Sequence, residues 1–172
     1  MIDWLSDLYW SIDPGESKCG VAIFRGGRCV EAHRSTPDAA LDKLWVHLDV
    51  PMDLESRPWA VVLERFALRG DLAPQQRGSE MGTSQMIGAI RWMCRHLSVP
   101  VVMQTPQNAH AMERAVPFCD WPQRRWASYG QGRDAKMAEL HGLFRISTTL
   151  NNQQRAAWHR QLMDLTPSKT SS

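Results

Sequence analysis

Three acids far apart in the chain, Asp13, Glu64 and Asp134, carry the first chemical signal. Asp13 lies in Ser11-Ile12-Asp13-Pro14-Gly15, where an apolar run ends in a carboxylate and the chain turns into Cys19-Gly20-Val21-Ala22-Ile23-Phe24. A carboxylate at a strand exit stands at the rim of a sheet, where it is placed to hold a hard cation over a phosphate. Asp-Pro-Gly is also an ordinary turn, so the motif needs support from elsewhere. Glu64 ends the apolar run from Trp59 and is followed by Arg65 and Phe66. An isolated Glu at a strand end is commonly just solvated, but an acid, a base and an aromatic together can hold a metal, grip a phosphate and stack on a nucleobase. Asp134, in Gly132-Arg133-Asp134-Ala135-Lys136-Met137-Ala138, opens a helix, where an acid also serves as a capping or dipole partner. The small residues Ala135 and Ala138 predict that this helix packs close to the sheet and brings Asp134 toward the other acids. Converging carboxylates repel unless cations neutralise them, and Mg²⁺ (or Mn²⁺) suits such oxygens together with retained waters. Two ions about 4 Å apart can activate a water and stabilise the leaving 3′ oxygen of a phosphodiester.

The elements that must position these acids read in order. Leu8 to Ile12 and Lys18 to Phe24 form strands joined through Pro-Gly, and Gly26-Gly27 predicts a two-residue hairpin turn into a third strand from Cys29 to Arg34. Thr36 caps a helix with Pro37 in its first turn and Leu41, Leu44, Trp45 and Leu48 at helical spacing. Trp59 to Glu64 reads as a buried central strand, and residues 66–79 as a loop. A helix runs from residue 79 or 80 to Leu97, with Gly82, Gly88 and Ala89 permitting a close approach to another backbone. Val99 to Met103 is a strand, Pro106 to Ala115 a helix, 117–130 an irregular stretch and Gly132 to Phe144 a helix. An amphipathic piece from Gln153 to Leu165 precedes a Pro/Ser/Thr/Lys tail expected to be disordered. Three antiparallel strands followed by right-handed crossovers give an α/β fold: a mixed five-stranded sheet with helices on both faces. The first and fourth strands are then neighbours, which places Asp13 beside Glu64.

At 172 residues one domain is the default, and 43% hydrophobic with 22% charged residues is ordinary globular composition. No apolar run is long enough to span a membrane, and the acidic N-terminus lacks the basic region of a secretory signal. The four cysteines, Cys19, Cys29, Cys94 and Cys119, form no C-x-x-C pair, which fits reduced thiols in a cytoplasmic compartment. The net charge of +2 does not mark a nucleic-acid binder. Sixteen of the twenty basic residues are Arg, however, and a guanidinium grips phosphate bidentately; genome composition accounts for such a bias equally well. Arg65, Arg69 and Arg77 cluster just after the Glu64 strand, and Arg124, Arg125, Arg133 and Lys136 in the C-terminal third, so these residues and Phe66 are the expected DNA contacts.

The motifs Ile12-Asp13-Pro14-Gly15 with Gly20-Val21-Ala22, Val61-Val62-Leu63-Glu64 and Arg133-Asp134-Ala135 resemble, in order, those of RuvC-type Holliday junction resolvases of the ribonuclease H-like superfamily. The resemblance covers residues from about 8 to 145, and the short, divergent chain looks like a phage-encoded member. It implies a nuclease domain over 1–150, with 151–172 as a C-terminal helix and tail. It implies a homodimer in the cytoplasm (of the bacterial host, if phage-encoded) that cuts four-way DNA junctions, with Asp13, Glu64 and Asp134 catalytic and two Mg²⁺ or Mn²⁺ ions bound. The family usually has a further acid or a His three residues before the helix Asp; here Gln131 stands there, a neutral oxygen donor in the metal set. Glu139 is rotated about 140° from Asp134 around the helix. His141, on the Asp134 face but two turns away, reads as a packing or surface residue. The family's Lys after the fifth strand is missing, and Arg114 is the nearest electrostatic substitute. Other readings stay open: a catalytically weak protein that binds branched DNA, or a related nuclease acting on flaps or RNA–DNA hybrids. An actin-like ATP-binding domain also opens on an Asp-x-Gly hairpin, but it needs two such domains, more than 172 residues supply.

Overall fold

Gly26 and Gly27, at φ +62° and +70°, make the tight turn that joins β2 (Cys19–Arg25) to β3 (Arg28–Ser35). Both central residues of such a two-residue turn need positive φ, which glycine adopts without strain. The computed structural model describes residues 3–5, 7–51, 57–65, 82–115 and 132–164. β2 also pairs antiparallel with β1 (Tyr9–Asp13), and β1 pairs parallel with β4 (Ala60–Glu64), which pairs parallel with β5 (Val101–Gln104). The sheet order is β3-β2-β1-β4-β5, the mixed five-stranded arrangement expected. The first and fourth strands are neighbours, as the crossover argument required.

Alternation of side chains along each strand sorts the sheet into two faces. One face carries Trp10, Ile12, Val21, Ile23, Val61 and Leu63 against α1 (Pro37–Leu48) and α2 (Gly82–His96), which contribute Leu44, Leu48, Met86 and Ile90. The other carries Tyr9, Ala22, Phe24 and Val62 beneath α3 (Pro106–Ala115), α4 (Gly132–Thr149) and α5 (Asn152–Asp164). α4 lies across β1, β2 and β3 and reaches β4. Its approach is close because Gly142 leaves room for the Phe24 ring, which stacks on Tyr9 at 4.8 Å, while the Tyr9 hydroxyl donates to the Gly142 carbonyl at 3.1 Å. Thr36 caps α1 by accepting from the Ala39 amide at 3.4 Å, with Pro37 opening the helix as predicted. α5 joins the same core through buried Trp158, whose indole N–H donates to the Gly27 carbonyl at 2.7 Å. No helix among the described residues is long and apolar enough to cross a membrane.

Most element boundaries shift by one to three residues from the sequence reading, and three of the shifts bear on the site and its helix. β1 and β5 each run one residue further, to Asp13 and Gln104. α4 continues past Phe144 to Thr149. The polar Ser147 and Thr149 hide that last turn in sequence, yet their hydroxyls donate back to the carbonyls of Phe144 and Ile146, and Ile146 is fully buried. Gly88 was expected to let α2 approach a backbone. A Cβ there would meet nothing within 4 Å among the described residues, whereas one on Gly82 would lie 3.6 Å from the Glu16 backbone, so α2 makes its close approach at Gly82; α4 makes tighter ones at Gly20 and Gly142. The loop 66–79, the stretch 117–130 and the tail beyond residue 164 lie outside the described residues.

Candidate active site

One cross-strand row at the carboxyl end of β1 and β4 builds the site. Asp13 pairs with Gly20 in β2, and Glu64 pairs with Gln104 in β5. Asp13 and Glu64 each follow the pair Ile12–Leu63, so the row reads Gly20, Asp13, Glu64, Gln104 across four adjacent strands. Strand alternation turns all four toward the face covered by α4, because Ile12 and Leu63 occupy the opposite core.

Gly20 brings in the third acid. Its missing side chain leaves space for the backbone carbonyl of Asp134, which a Cβ at residue 20 would strike. The first turn of α4 therefore rests on the sheet itself, and Ala135 and Ala138, both buried, keep it there. Asp134 is held from the other side by Arg34 of β3, whose Nε donates to Oδ2 at 3.0 Å. The electrostatics register the convergence. Asp13 has its carboxyl pushed up to about 8, first by burial and then by the charges of Glu64 and Asp134, with Arg133 opposing the shift. The thiol of Cys19, beside the same acids, is raised to about 11 by burial and by Asp13 and Asp134. A carboxyl so reluctant to ionise alone is one whose charged form calls for a cation.

Glu64 has a partner that sequence reasoning passed over. His141, fully buried in α4, places Nε2 2.5 Å from Glu64 Oε2. Its Nδ1 lies 2.9 Å from Gln104 Oε1, and the Gln104 amide donates to the His141 carbonyl at 3.2 Å. That last bond sets the orientation of the amide, so Oε1 must accept and Nδ1 must carry a hydrogen. The only available signal was His141 at i+7 from Asp134, on the same helix face.

The donor chemistry fits a hard divalent ion: two carboxylates in the row, Asp13 and Glu64, and a third, Asp134, from the first turn of α4, with no thiolate among them. Among the described residues, however, no three His, Cys, Asp or Glu side chains stand close enough together to chelate one. The acids are coupled in charge, and Arg34 and His141 each tie up one carboxylate oxygen. Of the expected DNA contacts, Arg133 is exposed beside Asp13, and Arg65 is exposed directly after Glu64, its amide donating to the Gln104 carbonyl. Lys136 is joined to Glu113 at 2.6 Å. Phe66, Arg69, Arg77, Arg124, Arg125 and the proposed ligand Gln131 lie outside the described residues.

No family model matches the chain. Among curated proteins it is similar to the crossover junction endodeoxyribonucleases RuvC of Bifidobacterium longum (strain DJO10A) and of Bifidobacterium longum subsp. infantis. Each is 29% identical over 109 residues, covering 57% of this chain and 53% of the relative. The chain thus spans about half the length of the relatives it matches. Among solved structures, T. thermophilus RuvC in complex with a Holliday junction substrate superposes with a TM-score of 0.52 at 16% identity, covering 83% of this chain and 96% of that one. The chain is thus similar in sequence to RuvC over 109 residues and shares its mixed-sheet fold, the fold that its motifs implied.

Proposed function

We propose that this chain is a metal-dependent endonuclease that hydrolyses phosphodiester bonds in branched DNA, with the four-way junction as its substrate. The observation that carries this reading is the row of Asp13 and Glu64 on adjacent parallel strands, with Asp134 brought onto it over Gly20. Asp13, Glu64 and Asp134 would hold Mg²⁺ or Mn²⁺, with Gln131 as a neutral fourth donor and two ions as the expected number. Held there, such an ion would supply Lewis-acid chemistry for activating a water and stabilising the leaving oxygen. The chain's own residues do the rest. Asp13, beside Glu64 in the row, is the acid that feels the charge of both others and would be a ligand to the ion. Arg133 and Arg65 flank it with guanidiniums suited to the scissile phosphate and its neighbour. Phe66, Arg69, Arg77, Arg124, Arg125 and Lys136 extend the DNA contacts in this reading, Lys136 by exchanging its Glu113 partner for phosphate. A homodimer completes it, because identical sites related by a two-fold axis meet equivalent strands of a two-fold junction. The compartment is the cytoplasm, where such DNA resides.

The test is incubation of purified protein with a synthetic four-way junction and Mg²⁺ or Mn²⁺, alongside Asp13→Asn. Nicking by the wild type, lost in Asp13→Asn with junction binding retained, is the expected result. A flap, a plain duplex and an RNA–DNA hybrid as competitors establish the substrate class. A second reading, a branched-DNA-binding protein that does not cut, draws on the Arg34–Asp134 ion pair, since a guanidinium already neutralises one acid. Binding without nicking at any metal concentration decides for it.

A further inference from the structure

Glu64 is tied into the core by a chain of polar groups that packing alone does not require. His141 and Gln104 are 0% and 6% exposed, and they come from α4 and β5 to meet a side chain of β4. A buried imidazole and a buried amide are costly unless their bonds are made. Here each ring nitrogen is engaged, and the amide is engaged at both ends. Because Gln104 also grips the His141 backbone carbonyl, the ring cannot rotate without breaking two bonds. Its Nε2 is therefore aimed at one oxygen of Glu64, which commits Oε2 inward and makes Oε1 the atom available at the rim.

We propose that His141, locked by Gln104, is a positioning residue that fixes the Glu64 carboxylate for divalent-cation binding at the rim. The inference rests on the metal-nuclease reading and adds residues to it. Hydrogen-bond partners of a liganding side chain set its direction, and removing one commonly lowers metal affinity about 10- to 100-fold.

The experiment measures Mn²⁺ binding to the full chain without DNA, from loss of the free-ion electron paramagnetic resonance signal, on variants shown to be folded by circular dichroism. His141→Leu should weaken binding about tenfold or more. His141→Gln, which can place a polar amide group against Glu64, should recover most of it, which a merely space-filling role would not produce. Gln104→Leu never touches Glu64 yet should weaken binding in the same direction, and it carries the test if His141→Leu does not fold. If neither folds, wild-type ¹⁵N resonances decide: a shift of the buried His141 ring on adding Mg²⁺ supports the proposal, and none overturns it. Folded variants with wild-type Mn²⁺ affinity overturn this inference alone. A wild-type protein that takes up no Mn²⁺ overturns the metal-nuclease reading and this inference with it.

Discussion

The two faces of the sheet solve different problems with the same strands. Under α1 and α2, Trp10, Ile12, Val21 and Leu63 interdigitate with Leu44, Leu48, Met86 and Ile90, all large and apolar. Under α4 the same strands offer Gly20, Ala22, Asp13 and Glu64, and the helix replies with Ala135, Ala138 and Gly142. Large side chains hold a helix off a sheet; small ones let its backbone descend. Only on the second face does a helix backbone come down onto the sheet, at Gly20, and bring the charge of Asp134 to bear on Asp13. The comparison separates a face that stabilises from a face that positions, and substitutions can be chosen to blur the two.

Gly20→Ala should break the distinction most severely. Its Cβ would meet the Asp134 carbonyl, a backbone atom that cannot step aside without lifting the first turn of α4. We expect a loss of about 3 kcal/mol, the upper range for overpacking a tight contact. Junction nicking should fall to background, because Asp134 moves away with the helix. Urea denaturation and the junction assay read the two effects, and a Gly20→Ala protein that cuts normally would show that α4 is free to retreat.

The positioning face should also respond to pH in the sense opposite to an acid held in a salt bridge. Asp13 titrates near 3.8 ordinarily and near 8 in the folded protein. Between those values the folded protein holds a proton that the unfolded chain has released, so stability falls as pH rises and levels off above about 8. The expected loss is on the order of 2 kcal/mol, less than the full shift implies because Asp13 keeps partial contact with water. Mg²⁺ should flatten the slope, and Asp13→Asn should remove it. A urea midpoint that rises from pH 5 to pH 8 without metal would contradict the coupling of the three acids.

Much of this was legible in the chain. The apolar runs ending in Asp13 and Glu64, the Gly26-Gly27 turn and the Thr36-Pro37 cap are local signals, and each element formed where local chemistry placed it. Ala135 and Ala138 foretold the close helix for a reason that is also local: small residues on one face. What the sequence concealed depends on register. Gly20 looks like any strand glycine until pairing sets it beside Asp13. Gln104 matters because β5 ends opposite Glu64, and His141 because α4 packs closely on the sheet where Gly142 makes room for Phe24. Arg34 was hidden likewise, since β3 meets the start of α4 only in three dimensions.

Arg34 offers a smaller perturbation of the positioning face. Both side chains of its pair with Asp134 are about one-third exposed, 39% and 33%, so the bond contributes no more than about 1 kcal/mol. In Arg34→Gln the acids lose their only described guanidinium at hydrogen-bond distance, and the metal-free melting temperature should drop by a few degrees. The rise in melting temperature on adding Mg²⁺ should grow in compensation, since the ion then neutralises charge that Arg34 had shared. An Mg²⁺ response no larger than wild type would mean that Arg34 and the cation do not act on the same carboxylates.

The mildest change tests the stabilising face with the same chemistry as the most severe. Gly88 sits inside α2, and a Cβ there would meet nothing within 4 Å among the described residues. Alanine lowers the backbone entropy lost in forming a helix, so Gly88→Ala should stabilise the protein by about 0.5–1 kcal/mol. One substitution, glycine to alanine, thus takes opposite signs on the two faces: destabilising where the helix touches the sheet, stabilising where it faces outward. Nicking should be unchanged, because α2 contributes no acid to the row. Gly88 lines an open groove with Arg91, Trp92 and Met103, and Trp92 is 61% exposed. A variant that melts higher yet cuts less would show that a second copy or the DNA lies against this surface, giving it a role beyond holding the sheet.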